Sequence, residues 1–303
     1  MDKKTVIQQL KDMCPDMTVL SDEPMKLHTS FKIGGNADVF VSVKNEDEVI
    51  RTLEVFKSLD IKYTVIGNGS NLLVSDEGID GAVLCLGKEF SSVECEGNII
   101  RASAGTLLSK IASVALENSL TGFEFASGIP GSLGGALVMN AGAYGGEMKD
   151  VVLSTRYIDK NGKICECEGD AHGFGYRRSR FTGDDVILSS AIELKHGNRD
   201  EIRTLMRELA EKRRDKQPVE FPSAGSAFKR PEGYFAAKLI DDAGLRGYRV
   251  GDAMVSEKHC GFIINAGEAT FADVMAVIDH CREVVFEKEG VTLEPEVRIL
   301  KRN

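Results

Sequence analysis

Between residues 45 and 59 the apolar positions Val49, Leu53 and Phe56 recur at three- and four-residue spacing, the mark of an amphipathic helix. Asn45 stands at its N-cap, with Glu48 three residues on as a capping-box partner. Asp38–Val43 before it and Tyr63–Ile66 after it read as buried strands, so the chain opens on a β-α-β pattern. Further short strands are predicted at 82–86, 91–95, 98–103, 151–158, 163–168 and 186–195, with one helix at 107–118 between them. From residue 200 the pattern turns helical. A charged helix at 200–216 places Ile202, Leu205, Met206 and Leu209 inward, and a second, at 235–243, stops at Gly244. A third starts at Thr270, closes a capping box on Asp273 and runs to about Lys288; a strand near 292–300 follows. The pattern therefore predicts an α+β protein with a break near 196–200.

Composition sharpens this in one respect. The chain has 303 residues, a net charge of −9 and an ordinary apolar content of 42%, but 31 glycines, about a tenth of the total against a usual ~7%. The acidic balance argues against a dedicated nucleic-acid binder, whose affinity rests on Lys and Arg reaching phosphates. It leaves room for a small phosphorylated ligand. Met1-Asp2-Lys3-Lys4 begins no apolar leader, and the seven cysteines are odd in number and scattered, so free thiols in a reducing cytoplasm and no metal site are expected. Phe125–Gly146 holds no charged residue and is long enough to span a bilayer. Its seven glycines and Pro130 argue instead for loops and turns, not a membrane helix.

Glycine concentrates at two places. Gly67-Asn68-Gly69-Ser70-Asn71-Leu72 follows a strand but lacks the third glycine of a Rossmann fingerprint, and its sequel continues as strand, not helix. Gly128-Ile129-Pro130-Gly131-Ser132-Leu133-Gly134-Gly135 and Asn140-Ala141-Gly142 form the second place. Each alone is compatible with tight turns. Together they suit main chain brought close to an extended dinucleotide, where a side chain would be in the way. Tyr176-Arg177-Arg178-Ser179-Arg180-Phe181 interleaves three arginines with aromatics and reads as an anion-facing loop.

These segments, with Ala224-Gly225-Ser226-Ala227-Phe228 and Glu294-Pro295-Glu296-Val297-Arg298, occur in an order that resembles the UDP-N-acetylenolpyruvoylglucosamine reductase family, over roughly residues 27–300. The shorter subclass is indicated by the short Arg246–Val255 connection. The resemblance implies a two-lobed FAD-binding domain of the vanillyl-alcohol-oxidase type over 1–198 (lobes about 1–85 and 86–198). A C-terminal α/β substrate domain would then cover 199–303. It implies non-covalent FAD, NADPH as co-substrate and UDP-N-acetylglucosamine enolpyruvate as substrate, in a cytoplasmic enzyme expected to be a monomer. Arg177 and Glu296 take the family's positions beside the substrate carboxylate, and Ser226 that of the general acid. The FAD pyrophosphate falls to Gly67–Leu72 and Gly128–Gly135, with Asn140 and Gly142. Lys216, Lys229 and Arg230 are assigned to the UDP; the family's longer members usually carry asparagine at the last of these. Another FAD oxidoreductase of the same fold, acting on an alcohol or sugar, is the alternative, and a nucleotide-binding regulatory module the non-catalytic one.

Overall fold

The computed structural model describes residues 2–181, 183 and 185–302. Its contacts divide the chain into two interleaved units: 1–21, 39–68 and 81–212 form the first, and 22–38, 69–80 and 213–303 the second. The sequence pattern places a single break near 198, whereas two short segments from the first third of the chain group with the C-terminal third.

In the first unit, helix α1 (Lys3–Met13) buries only Val6 and Leu10, a stripe too thin for the periodicity above to assign. Helix α2 (Glu46–Ser58) starts as expected: Asn45 Oδ1 accepts the Glu48 N–H at 2.9 Å. The Glu48 carboxylate reaches one residue further back than a regular box and accepts the Lys44 N–H at 2.7 Å. Strand Tyr63–Ile66 then pairs in parallel with Ile79–Cys85, which stands between it and Asn36–Ser42 in the sheet. An antiparallel five-stranded sheet follows, in the order Ile164–Glu168, Val152–Ile158, Val186–Glu193, Ile99–Ser103, Val93–Glu96. Helices α3 (Leu108–Glu117) and α4 (Leu133–Met139) pack on it.

Helix α4 corrects the reading of 125–146 as loop and turn throughout. Two glycines in seven residues oppose a helix, but Leu133, Ala136 and Leu137 are buried, and tertiary packing overrides propensity. Gly134 is needed there, since a Cβ would stand 3.0 Å from that of Ala104. The helix ends on Asn140 in the left-handed region (φ 43°), and the chain then turns through the two-stranded ladder of Gly142–Ala143 with Gly146–Glu147. Among the described residues no helix is long and apolar enough to cross a membrane, and no group of three or more His, Cys, Asp or Glu could hold a metal ion.

The second unit is a four-stranded antiparallel sheet, Ser223–Ser226, Phe262–Asn265, Ala253–Val255, Arg249–Val250, with helices on it. Helix α5 (Arg199–Lys216) ends where this unit begins. Helix α6 (Ala236–Asp242) stops before Gly244 at φ 78°, and α7 (Phe271–Glu289) carries the full Thr270/Asp273 capping box. The expected C-terminal strand is shorter than 292–300: Arg298–Leu300 pairs in parallel with Leu72–Val74, and before it Pro295 forms an isolated antiparallel bridge with Phe228.

Candidate active site

The two glycine-rich elements meet at Gly67, Asn68 and the 128–135 loop. The Asn68 Nδ2 donates to the Pro130 carbonyl at 2.6 Å. A Cβ on Gly67 would meet Ser132 Oγ, so the two loops approach closely at this glycine. The loop is fixed from behind: Gly131 accepts the Leu108 N–H at 3.0 Å, Leu133 donates to Thr106 at 2.9 Å, and Gly134 donates to Ala104 at 2.8 Å. Ser132 is 2% exposed, yet among the described residues its hydroxyl has no partner. A buried hydroxyl left unpaired costs about 1–3 kcal/mol, so its natural complement is a ligand oxygen. That fits a dinucleotide phosphate held by the Gly67–Asn68 and Gly128–Gly135 loops. Gly69, Ser70, Asn71 and Leu72 belong to the second unit, where Leu72 is buried as the first residue of its strand and a Cβ on Gly69 (φ 65°) would strike the His28 carbonyl.

Arg177 lies in a tight turn of the first unit. Gly175 and Arg178 exchange two backbone hydrogen bonds, at 3.0 and 3.3 Å, and Arg177, third residue of the turn, has φ 52°. That value belongs to glycine or asparagine, and a long side chain adopts it only where its surroundings hold it there. Three contacts tie the turn to the end of α4 and the residues just after it. Ser179 Oγ donates to Val138 O at 3.0 Å, Asn140 Nδ2 to Gly175 O at 3.1 Å, and Arg177 Nη2 to Gly142 O at 3.5 Å. Below the turn, Arg180 N–H donates to His172 O at 2.8 Å. The His172 ring is buried, donates from Nδ1 to Gly169 O, meets Thr155 Oγ1 at Nε2, both at 2.9 Å, and stacks on Phe174. Arg180 sits over the Tyr157 ring at 4.9 Å, and Arg177 over the ring of its neighbour Tyr176 at 5.2 Å.

In the second unit the structure brings Ser226 and Glu296 together. Ser223 pairs with Ile264 and Ser226 with Phe262, so that two residues of one strand, Ala224 and Gly225, stand against one of the other, Ile263. This is a β-bulge, with Gly225 at φ 79° supplying the kink that re-aims the serine. Glu296 N–H donates to the carbonyl of Ala227, the residue after Ser226, at 2.8 Å. Asn71 Nδ2 donates to the Glu296 carbonyl at 3.1 Å, and the Asn71 carbonyl accepts the Arg298 N–H at 2.9 Å. The asparagine that the sequence assigns to the cofactor thus has its side chain on the main chain of the glutamate.

Of the three cations assigned to UDP, Lys216 is exposed at the last turn of α5. Lys229 pairs with Glu294 at 3.1 Å, and the Arg230 guanidinium lies 4.0 Å from the Phe235 ring centre. Sequence reasoning missed the tie between 138–142 and 175–179. Its partners are 35 to 41 residues apart, and nothing local to either segment signals it.

Comparison with known proteins agrees with this geometry. Residues 37–168 match the FAD binding domain family, and residues 217–300 match the C-terminal domain of UDP-N-acetylenolpyruvoylglucosamine reductase. An alkyldihydroxyacetonephosphate synthase structure shares the fold over 64% of this chain and 40% of its own, at 15% identity and a TM-score of 0.50. The protein is accordingly an α+β flavoprotein oxidoreductase with an FAD-binding domain. It is 50% identical over 296 residues to the UDP-N-acetylenolpyruvoylglucosamine reductase of Caldanaerobacter subterraneus subsp. tengcongensis, covering 97% of this chain and 98% of that one. The crystal structure of the reductase from Thermus caldophilus superposes with a TM-score of 0.82 at 35% identity, over 94% of this chain and 99% of the other. The chain belongs to the UDP-N-acetylenolpyruvoylglucosamine reductase family.

Proposed function

We propose that this protein reduces UDP-N-acetylglucosamine enolpyruvate to UDP-N-acetylmuramate with NADPH, in the synthesis of peptidoglycan precursors. The observation that carries the reading is the backbone hydrogen bond from Glu296 to Ala227, the residue after Ser226, in a chain that matches its relatives over 97% of its length. The Gly67–Asn68 and Gly128–Gly135 loops would hold FAD, which would supply the hydride chemistry between NADPH and the enolpyruvyl double bond. Charge then builds on the substrate carboxylate as an enolate, which a positioned guanidinium stabilises. Arg177 supplies it, and its strained turn keeps that charge in place before substrate arrives. Ser226 Oγ gives the proton that completes the lactyl carbon; a hydroxyl is a weak acid, but a carbanionic enolate is basic enough to take it. Glu296 stands beside it as a proton donor or through a bound water. The first unit with the 67–68 and 128–135 loops holds FAD, and residues 199–303 hold the UDP-sugar, with Lys216, Lys229 and Arg230 at the diphosphate. The enzyme works as a cytoplasmic monomer.

The test is optical. Purified protein is expected to show oxidised-flavin absorption that NADPH bleaches and UDP-N-acetylglucosamine enolpyruvate restores under anaerobic conditions. Colourless protein that takes up no FAD, or reduced flavin that substrate leaves unchanged, overturns the proposal.

A further inference from the structure

We infer that Asn140 is a positioning residue for Arg177, acting through the Gly175–Arg178 turn. This rests on the reading of Arg177 given above. Asn140 is 1% exposed, and its amide is committed inside the protein. One Nδ2 hydrogen goes to Glu147 Oε2 at 2.6 Å, the other to the Gly175 carbonyl at 3.1 Å, and Oδ1 accepts the Lys149 N–H at 2.9 Å. A side-chain amide has two N–H donors, so none is left for a phosphate. The side chain of Asn140 is therefore spent inside the protein. Its task is at Gly175, two residues before the arginine.

The Gly175 carbonyl carries the turn. It accepts the Arg178 N–H at 3.3 Å, which is long for such a bond, and the Asn140 amide fills its second lone pair. Without the amide, the four-residue turn that holds Arg177 at φ 52° keeps its own two bonds but loses the one side chain that anchors its first carbonyl from outside. The flanking contacts follow the same spacing: Val138, Asn140 and Gly142 meet Ser179, Gly175 and Arg177 in turn. Every second residue of the segment leaving α4 thus engages the arginine turn. Asn140 is the central member of the three and the only one that contributes its side chain. Its own left-handed backbone, φ 43°, is what brings that side chain round.

The test is Asn140→Gly, because glycine keeps the left-handed backbone without strain and removes only the amide. The holoenzyme is expected to keep its flavin content and its rate of flavin reduction by NADPH. Reoxidation by saturating UDP-N-acetylglucosamine enolpyruvate is expected to slow about 10- to 100-fold, with KM little changed, as for a displaced catalytic group. In an Arg177→Ala background the same substitution should add nothing, because the group it positions is gone. Unchanged reoxidation, an additive loss in that background, or loss of flavin with both half-reactions falling together each overturns the inference, the last by returning Asn140 to the cofactor. A wild-type reoxidation rate in Arg177→Ala alone sinks the reading of Arg177 itself and is recognised separately. Should Asn140→Gly fail to fold, Ser179→Ala removes the neighbouring tie. A few-fold slowing that vanishes in the Arg177→Ala background supports the positioning role, and no slowing refutes it.

Discussion

Arg177 and Ser226 are both presented by irregular backbone, but the irregularity falls differently at the two. Arg177 carries the left-handed φ of 52° itself, so strain and chemistry share one residue. At Ser226 the positive φ sits one residue earlier, on Gly225, which accepts 79° at no steric cost. The arginine needs ties from outside its turn, from Val138, Asn140 and Gly142. The serine is held by a sheet register and by the bond between Ala227 and Glu296. Placement by ladder is self-supporting. Placement by strain depends on neighbours distant in sequence.

The sharpest way to break this contrast is at the arginine. Arg177→Ala is expected to lower kcat by about 10²–10³-fold, the scale of losing a principal oxyanion donor, in steady-state turnover with substrate saturating. Lysine should restore little of it, since a single ammonium cannot reproduce the planar fork. Ser226→Ala comes next, at about 10²-fold or more in turnover, with flavin reduction by NADPH intact in rapid mixing. An ordinary kcat there would remove Ser226 from the mechanism.

Stability separates the two sites in opposite senses. Arg177→Gly should be as inactive as Arg177→Ala but melt at a higher temperature, by the equivalent of about 1 kcal/mol, because glycine relieves the left-handed strain. Gly225→Ala should destabilise by about 1–2 kcal/mol through backbone strain alone, since an added Cβ meets nothing within 4 Å. Equal melting of the two Arg177 variants would mean that the turn is not strained.

The smallest effect concerns His259. Burial holds its imidazole below an ordinary histidine, Arg246 adds to the shift, and Nδ1 accepts the Gly261 N–H at 3.1 Å. The unfolded chain takes up the proton first, so the stabilisation present at neutral pH declines as pH falls below about 6.5, toward the lower folded value. His259→Gln should flatten urea midpoints between about pH 5 and 7. A wild-type slope in the variant would assign the effect elsewhere.

The sequence carried much of this, unevenly. The capping residues Asn45 and Thr270 mark their helices because a cap is a local contact, three residues long. Ser226 and Glu296 were visible as motif residues, as were the glycines at 67 and 134, where neighbouring segments approach closely. Helix α4 was hidden because packing of Leu133, Ala136 and Leu137, not propensity, makes it. The side-chain partners of Asn71 and Asn140 were hidden for a related reason. An asparagine in a glycine-rich loop looks the same whether its amide faces a phosphate or a carbonyl far along the chain. Here Asn71 reaches Glu296, 225 residues away.

The tie between 138–142 and 175–179 has one more consequence, for what lies between them. The hairpin of Val152–Ile158 and Ile164–Glu168 leaves and returns within that closed base, and its tip is exposed at Lys160–Lys163 with Asp159 folding the turn on itself. Its ends are fixed whatever the tip contains. Lengthening such a loop costs only about 0.6 kcal/mol per doubling. The tip is therefore a port: a peptide tag or small domain could be grafted at Asn161 while the arginine turn, closed at the hairpin's root, keeps its geometry.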